Sequence, residues 1–342
     1  MTDMKRKSAP RDTRPFNRRD LLRQAGFLGA GAVGVGLVGC KQRPDDNVAS
    51  PTTPSQVLQQ GGTVSARLRG LLTGVAVAGA TMRVKGVGTA AGNAEGAIDV
   101  RLEQNGTYEV EFTAAGHFPR TGKMVVAGNA NLTVTMLEND AGISQGFLNQ
   151  YARGTGAGKG IDIAARTPGF TNRWTRPPTY RIYRRLADST KEFVSDARVG
   201  AMRSVIFALF PALTANRLGI PAVAVRNTEP PASLGDIGTG IVVVAQSKAT
   251  RQISEHVGGI SDPYSIVKAR VSSGFESTIE VFSRMVAHST GAYGVGSGSD
   301  SIVSGPGRAT LGERDTKAAA FLYARAAGNS APDRDRDDVV LS

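Results

Sequence analysis

Hydrophobic and polar residues alternate along the chain from Thr63 to about residue 137, in short runs separated by glycine and asparagine. Alternation with a period of two is typical of half-buried strands. Asn105-Gly106 predicts a hairpin, because both residues tolerate a positive φ, and Gly92 to Gly96 predicts a further turn. The pattern predicts a small antiparallel β-sandwich over residues 63–138. The runs are TVSARLRGLL, ATMRVKGVG, GAIDVRLE, TYEVEFTAAG, KMVVAG and NLTVTML.

A polar joint at Glu138-Asn139-Asp140 separates this region from residues 141–331, where helix and strand patterns are mixed. Apolar residues recur there at helical spacing and also form short continuous runs, which predicts an α+β domain. Ser189 is the predicted cap of its first long helix. The charged residues 332–342 are expected to fray. The predicted helices are Ser189–Phe210, Phe275–Ala287 and Thr316–Ala326, and the predicted strands are Gly240–Ala245 and Ala269–Val271.

The first forty residues have the pattern of an export signal. A basic stretch is followed by an uncharged run, Ala25 to Gly39, which is short for a span of about 30 Å of hydrocarbon. The segment around Arg18 and Arg19 resembles the bacterial twin-arginine signal. Leu37-Val38-Gly39-Cys40 resembles a lipobox, which implies lipidation of Cys40. The sequence therefore predicts a twin-arginine signal with a lipobox over residues 1–40, and attachment to the membrane of a bacterial cell envelope, on its periplasmic or extracellular face, through lipid on Cys40.

Composition and charge narrow the range of partners that the chain is expected to bind. The 342 residues include 41 basic and 29 acidic side chains, a net charge of +12. Residues 1–39 carry eight of the basic and three of the acidic groups, so a processed chain has 33 and 26, a net charge of +7. The excess is dispersed and no basic run is interleaved with aromatic residues, which argues against nucleic-acid binding. Residues 41–62 are rich in polar residues and proline, and are predicted to be a flexible linker.

Scarce cysteine and histidine exclude several kinds of site. A single cysteine rules out an internal disulfide and multi-cysteine metal sites. With three histidines in the chain, a metal site built mainly from histidine is not expected. The segment Gly29 to Gly34 matches G-x-G-x-x-G, but it lies within the signal and has no preceding strand, so a dinucleotide site is rejected.

Four segments of the sandwich region form a recognisable succession: Gly79 to Val84, Gly106 to Val110, Ala114 to His117 and Leu132 to Val134. With them, residues 63–138 resemble the carboxypeptidase regulatory-like domain, a family with a transthyretin-like sandwich. It implies an accessory or spacer module, in a group loosely associated with carbohydrate-binding folds. Binding of carbohydrate or cell wall through the sandwich is therefore one alternative function. The shortage of aromatic residues in 63–138, where Tyr108 is the single tyrosine, weighs against it.

Three segments follow one another near the end of the chain: V-A-H-S-T-G-A from Val286 to Ala292, Asp300 to Val303, and E-R-D followed by alanines and L-Y from Glu313 to Tyr323. This layout resembles a matrixin-like metzincin peptidase. A long helix, a sheet and then the helix that carries the site precede these motifs in the expected order. The resemblance implies a zinc peptidase whose ligands would sit at the end of the second helix.

This sequence departs from the family at the positions that perform the chemistry. His288 matches the first zinc ligand, but Ser289 stands where the family has its glutamate base and Ala292 where it has the second histidine. Ser297 or Gly298 falls near the third ligand, and Val303 replaces the methionine of the turn. No catalytic residue and no cofactor is therefore expected. Zinc bound at a rearranged site of His288, His256 and Asp300 remains the alternative.

Two further motifs have ordinary structural interpretations. Gly142 to Gly146 matches G-x-S-x-G, but no strand precedes it, so Ser144 is predicted to cap a helix. Gly154 to Lys159 is glycine-rich but fails the spacing of a phosphate-binding loop.

The sequence thus predicts an inactive metzincin-like lipoprotein with a binding or structural role. A peptide or protein ligand in the envelope is expected to add to a sheet edge, with Gly240–Ala245 as the candidate strand. An active metallopeptidase, or another hydrolase with a site around His288, is the alternative function.

Overall fold

A computed structural model describes residues 61–139, 142–155, 169–189, 193–247, 253–259, 262–274, 277–294, 300–304 and 308–341. These residues belong to one compact unit, Val57–Ser342. They form a mixed α/β structure with three β-sheets and four helices in the described part of the chain. The predicted export signal with Arg18 and Arg19, Cys40, and the predicted linker as far as residue 60 lie outside the described residues.

Two of the sheets pack face to face in the N-terminal part. One has three strands in the order β4-β1-β7, and the other has four in the order β3-β2-β5-β6. Alternate residues of both sheets, among them Leu68, Met82, Phe112 and Val134, are buried in a common core, as the alternating pattern predicts. The strands are β1 (Thr63–Gly70), β2 (Thr81–Val84), β3 (Gly88–Ala91), β4 (Ala97–Arg101), β5 (Gly106–Thr113), β6 (Arg120–Val126) and β7 (Ala130–Met136).

Two details of the predicted sandwich are wrong. The pairing is not wholly antiparallel, because β1 and β7 run parallel while β1 and β4 are antiparallel. Asn105-Gly106 does not turn a hairpin: β4 pairs with β1, whereas β5 pairs with β2 and β6, so the chain crosses between sheets there. The Asn105 side chain instead accepts a hydrogen bond of 2.8 Å from the Gly128 backbone. Asparagine is common in turns of several kinds, so it fits a loop that connects two sheets as well as it fits a hairpin.

The third sheet has five strands in the order β11-β12-β10-β8-β9. All neighbouring pairs are parallel except β11, which runs antiparallel to β12 at one edge. The predicted buried strand is confirmed as β10, which is central to the sheet. The strands are β8 (Thr179–Tyr183), β9 (Ala222–Arg226), β10 (Gly240–Gln246), β11 (Ile253–Gly258) and β12 (Ile266–Gly274).

Four helices accompany this sheet: α1 (Gln145–Arg153), α2 (Asp196–Leu213), α3 (Ile279–Ser289) and α4 (Glu313–Ala324). The predicted helix starts are displaced, because capping groups and not apolar spacing decide where each helix begins. Ser195, not Ser189, caps α2, and its hydroxyl accepts from the Arg198 backbone at 3.2 Å. Thr278 caps α3 in the same way. Among the described residues no helix combines the length and apolarity needed to cross a membrane.

The end of the chain is bound to the sandwich, so the prediction that it frays is wrong. Asp333 and Leu341 are buried, and Leu341 is part of the sandwich core. The Leu341 backbone donates to the Lys123 carbonyl of β6 at 2.7 Å, and the Thr121 backbone of the same strand donates to the Asp333 carbonyl at 3.0 Å. We call residues 333–341 the C-terminal segment. Its charged residues include buried ion-pair partners, which composition alone does not distinguish from a solvated tail.

Candidate functional site

The predicted site lies at the C-terminal end of α3. Phe282, Met285 and Val286 bury one face of this helix in the core of the C-terminal part. His288 and Ser289 follow in its last turn, and both have 0% exposure. The position where the peptidase family would present a zinc ligand and a base to substrate is therefore enclosed by protein.

The chain reverses directly after α3 and returns to the His288 ring. Gly291 has a φ of 115°, and a Cβ there would lie 2.1 Å from the Asn172 carbonyl oxygen, so this turn requires glycine. The turn places the Ala292 carbonyl oxygen 2.9 Å from His288 Nδ1. The residue that stands in place of the second histidine thus holds His288 through its backbone.

Ser289 is held by three hydrogen bonds. Its hydroxyl donates to the Val286 carbonyl at 2.7 Å and lies 3.0 Å from the Tyr180 hydroxyl of β8. Its carbonyl accepts from the Trp174 indole Nε1 at 2.7 Å. Burial raises the pKa of Tyr180 well above its usual value, against the opposing effect of the Ser289 hydrogen bond. The Tyr180 hydroxyl therefore stays protonated, and the pair serves packing.

Two further tyrosines close the region beyond Ser289. The Tyr323 hydroxyl donates to the Thr290 carbonyl at 2.7 Å. Asn172 Nδ2 donates to the Tyr293 hydroxyl at 2.9 Å, and the Tyr293 backbone donates to the Tyr151 carbonyl of α1 at 2.6 Å. These contacts join α1, α3 and α4 around the helix end.

The donor set does not fit a zinc ion. Ser289 and Ala292 offer neither a carboxylate nor an imidazole. The Asp300 side chain is 63% exposed and paired with Arg308, whereas His288 is fully enclosed, so these two do not share a site. His256 lies in β11 opposite Ala269. Within the described ranges no cluster of three or more His, Cys, Asp or Glu side chains could hold a metal ion. Ser297 and Gly298 lie outside those ranges.

The turn that would carry the family's methionine is fastened to the start of α4. The Asp315 carboxylate accepts from the backbones of Ile302 at 2.8 Å and Gly312 at 2.9 Å, and from the Ser301 hydroxyl. Val303, at the methionine position, is buried in the same core. The turn from Ser301 to Val303 thus packs the region between α3 and α4.

The helix cap predicted at Ser144 is confirmed. Ser144 caps α1, and its hydroxyl accepts from the Phe147 backbone at 3.1 Å. Gly154 ends α1 with a left-handed φ of 68°. Residues 156–160 of the glycine-rich run lie outside the described residues.

The prediction that the strand Gly240–Ala245 offers an edge for peptide binding is wrong. β10 is hydrogen-bonded to β12 on one side and β8 on the other, so it has no free edge for a peptide. β9 and β11 form the edges of this sheet. A continuous apolar run such as that of β10 is typical of a central strand, and this signal could have excluded it.

A buried arginine cluster, which the sequence patterns did not predict, lies between the sandwich and the C-terminal part. Arg325, at the end of α4, pairs with Asp333 through two bonds of 2.8 and 2.7 Å, and both side chains have 0% exposure. Arg120 of β6 donates to Asp335 at 3.0 Å. Arg120 and Arg325 also both donate to the Thr135 carbonyl of β7 at 2.9 Å. The alternating D-R-D-R-D-D of the tail is a signal that could have pointed to it.

The ion pairs change the proton affinity of their members. Burial alone would raise the pKa of Asp333, but Arg325, Arg120 and an Asn329 hydrogen bond outweigh burial and hold it below its usual value. Burial lowers the pKa of Arg325, and the attraction of Asp333 outweighs this, so that pKa is raised. Arg153 lies beside these pairs and donates to Asn329 at 2.8 Å, and burial lowers the pKa of Arg153 to about 10. All three remain charged at neutral pH.

Comparison with known proteins gives only partial structural likeness. No family model and no curated protein matches the chain. The pilus 2b backbone protein of group B streptococcus is 15% identical over 22% of this chain and 41% of its own, with a TM-score of 0.21. A cohesin–X-dockerin complex of Acetivibrio cellulolyticus is 21% identical over 23% and 60%, with a TM-score of 0.20. The Bacillus anthracis TIE protein is 15% identical over 23% and 17%, with a TM-score of 0.20. The chain spans less than two thirds of each.

Proposed function

We propose that this chain is a cell-envelope lipoprotein whose C-terminal part is a catalytically inactive metzincin-like domain with a binding or structural role. One observation carries the proposal: His288 and Ser289 are fully buried and bonded to their neighbours. A zinc peptidase needs three ligands, a base and access for substrate at this point. Here the same positions fasten α3 to the rest of the domain.

The order of elements supports the metzincin-like assignment. After strand β8 come the long helix α2, the other four strands of the five-stranded sheet, the helix α3 that contains His288 and the final helix α4, close to the expected order. The buried turn from Ser301 to Val303 lies between α3 and α4, as the resemblance implies. The two-sheet N-terminal part supports a spacer module between lipid and this domain.

Zinc content tests the inactive assignment. Residues 41–342 are purified without chelator, incubated with zinc, desalted and analysed for bound metal, beside a His288→Ala variant. We expect values near zero for both proteins. About one zinc per chain, lost in His288→Ala, would contradict the proposal and favour a hydrolase with a rebuilt site. Peptidase assays on the same two samples show whether His288 supports any turnover.

Lipidation is tested separately on the full chain in a bacterial host. We expect mass spectrometry of the processed N-terminus to find a lipid-modified Cys40, and Cys40→Ser to leave the protein unlipidated. Arg18→Lys with Arg19→Lys is expected to block export, because the paired arginines are the recognised feature. An unmodified Cys40 in an exported protein would contradict the lipoprotein assignment.

A further inference from the structure

Two cavities adjoin at the C-terminal segment. One, of about 300 Å³, lies between the segment and the outer face of β2, β5 and β6. The other, of about 410 Å³, lies between the segment and the C-terminal part, where Phe170 and Tyr264 line it. Arg334 and Asp337 line both cavities, so the two meet there and form one groove, which we call the surface groove. Volumes of this size are typical of clefts that hold ligands.

Paired charges of opposite sign cover the sandwich half of the surface groove. Arg83 of β2 donates through Nε and Nη2 to Glu111 Oε2 of β5, at 2.9 and 2.6 Å. Lys85 donates to Glu109 Oε2 of the same strand at 2.6 Å. Each carboxylate is thus held through one oxygen, and its Oε1 has no hydrogen-bond partner among the described residues. Side chains that are already held lose less entropy when a ligand binds.

The charges along the surface groove nearly cancel. Five cationic and four anionic side chains line it, each counted once. At its centre Asp337, which is 70% exposed, lies 3.6 Å from Lys123 Nζ and 3.5 Å from Arg334 Nη2. A ligand of uniform charge would be repelled by about half of this lining. Hydroxyl groups match both signs, because each can donate a hydrogen bond and also accept one.

An apolar wall lies at the other end of the surface groove. The Phe170 and Tyr264 ring centroids are 5.1 Å apart, and both side chains are partly exposed. Tyr264 is held in place, since the Arg336 guanidinium lies 5.3 Å from its ring centroid and a Cβ on Gly328 would lie 2.7 Å from its Cδ2. Aromatic rings offer a large rigid surface on which the C–H face of a sugar packs. The aromatic residues that are scarce in 63–138 are thus supplied by the C-terminal part.

We propose that the surface groove binds an uncharged polysaccharide in an extended conformation, with one sugar packed on Phe170 and others bonded to the paired charges of the sandwich. Neighbouring strands lie about 4.8 Å apart, close to the length of one sugar unit in an extended glycan. Successive units crossing β2, β5 and β6 therefore meet successive charged side chains. The inference does not depend on whether the His288 site is inactive.

An extended peptide is a poorer occupant, because the edge of β6 is already bonded. The Thr121 backbone donates to the Asp333 carbonyl at 3.0 Å, and the Leu341 backbone donates to the Lys123 carbonyl at 2.7 Å. Strand addition needs free backbone groups at that edge. A glycan uses side chains instead, and these point out of the sheet on its outer face.

Defined hexasaccharides test the proposal by isothermal titration against residues 41–342. The uncharged probes are cellohexaose, maltohexaose, mannohexaose and chitohexaose. The charged probes are the hexamers of galacturonic acid and of glucosamine, which have the same length and opposite signs. We expect at least one uncharged probe to bind more tightly than both charged ones. Failure of every uncharged probe to bind, or tighter binding of a charged one, would overturn the proposal.

Two variants locate the binding. We expect Phe170→Ala to weaken it by about threefold to tenfold, the range of an aromatic contact, and Arg334→Ala to weaken it by a similar factor. Phe207→Ala and Arg67→Ala are the matched controls, because both residues are exposed and neither lines the surface groove. Unchanged affinity in both groove variants, or an equal loss in the controls, would overturn the assignment. Arg334 is 58% exposed, so its variant remains informative if Phe170→Ala lowers stability.

Discussion

Ser289 and Tyr180 form a buried polar pair, and the consequence of removing one hydroxyl differs from that of removing both. Ser289→Ala leaves the Tyr180 hydroxyl without its 3.0 Å partner in a site with 0% exposure. We expect a loss of about 1–3 kcal/mol in the free energy of unfolding, the typical desolvation cost of an unpaired buried group.

The double variant Ser289→Ala with Tyr180→Phe checks this explanation. Removing both partners is expected to cost less than the sum of the single changes. Urea unfolding of the four proteins measures the coupling. Strict additivity would show that the two hydroxyls act independently, which would contradict the role given to Ser289.

Asp333 makes the free energy of unfolding depend on pH. Its pKa is lower in the folded chain than its ordinary value of 3.8, because Arg325 and its other partners outweigh burial. Its contribution is therefore present above the ordinary value and is lost as pH falls through the folded pKa. We expect Asp333→Asn to cost about 3–5 kcal/mol near neutral pH, since Arg325 then remains buried without its partner.

Unfolding measured at several pH values tests the Asp333 prediction. The loss caused by Asp333→Asn should shrink below about pH 4, where the carboxylate becomes protonated first in the unfolded chain and then in the folded one. Asp338→Asn is the matched control, because it removes a carboxylate of the same segment that is 68% exposed. A cost equal for the two variants, or independent of pH, would contradict the buried ion pair.

At the residue scale, the sequence directed attention to His288, Ser289 and Ala292 but did not indicate what these residues contact. That Ala292 holds His288 through its carbonyl depends on the Gly291 turn and on Asn172, which is more than a hundred residues away. Contacts of that separation leave no local periodic signal.

At the element scale, Leu341 joins the C-terminal segment to the sandwich core. A Cβ added to Gly122 would lie 3.1 Å from Leu341 Cδ1, so the leucine packs directly over the bare backbone of β6. We expect Leu341→Ala to cost about 2–4 kcal/mol. Val340→Ala, at a 46% exposed neighbour, is the control and should change stability by less than about 0.5 kcal/mol.

The packing of Leu341 on Gly122 predicts a compensation. Gly122→Ala should destabilise the native chain by crowding Leu341, but should be less harmful in the Leu341→Ala background, where the added methyl fills vacated space. Chemical unfolding of the four combinations measures this. Equal effects of Gly122→Ala in both backgrounds would show that the two residues are not in contact.

The positions of strands were predictable where one face of the strand is buried. The connections between strands, which depend on how the chain turns, were less predictable. Alternation located the strands of the sandwich, yet Asn105-Gly106 was assigned a hairpin that the chain does not make. The parallel pairing of β1 with β7 could not be predicted either, since strand patterns carry no direction. Helix starts were displaced because an apolar stripe continues past the capping residue, as at Ser195.

At the scale of the whole molecule, the sequence indicates two separate domains, whereas in the structure the two parts are joined by shared contacts. Composition and the polar joint separate residues 63–138 from residues 141–331. The structure instead makes contacts across that joint: Arg325 of the C-terminal part donates to the Thr135 carbonyl of β7 at 2.9 Å. A charged run such as 333–341 is normally solvated, so its role between the two parts was not predictable from composition.

These shared contacts lead to a prediction about cooperativity. Residues 41–342 are expected to unfold in one calorimetric transition, because Leu341 completes the sandwich core while Asp333 neutralises Arg325 of the C-terminal part. A chain ending at Pro332 removes both links at once and leaves Arg120 without Asp335. We expect its sandwich to melt at lower temperature, in a separate transition. Two transitions in the intact chain would show that the parts fold independently, and an unchanged single transition after truncation would show that the segment contributes nothing to their coupling.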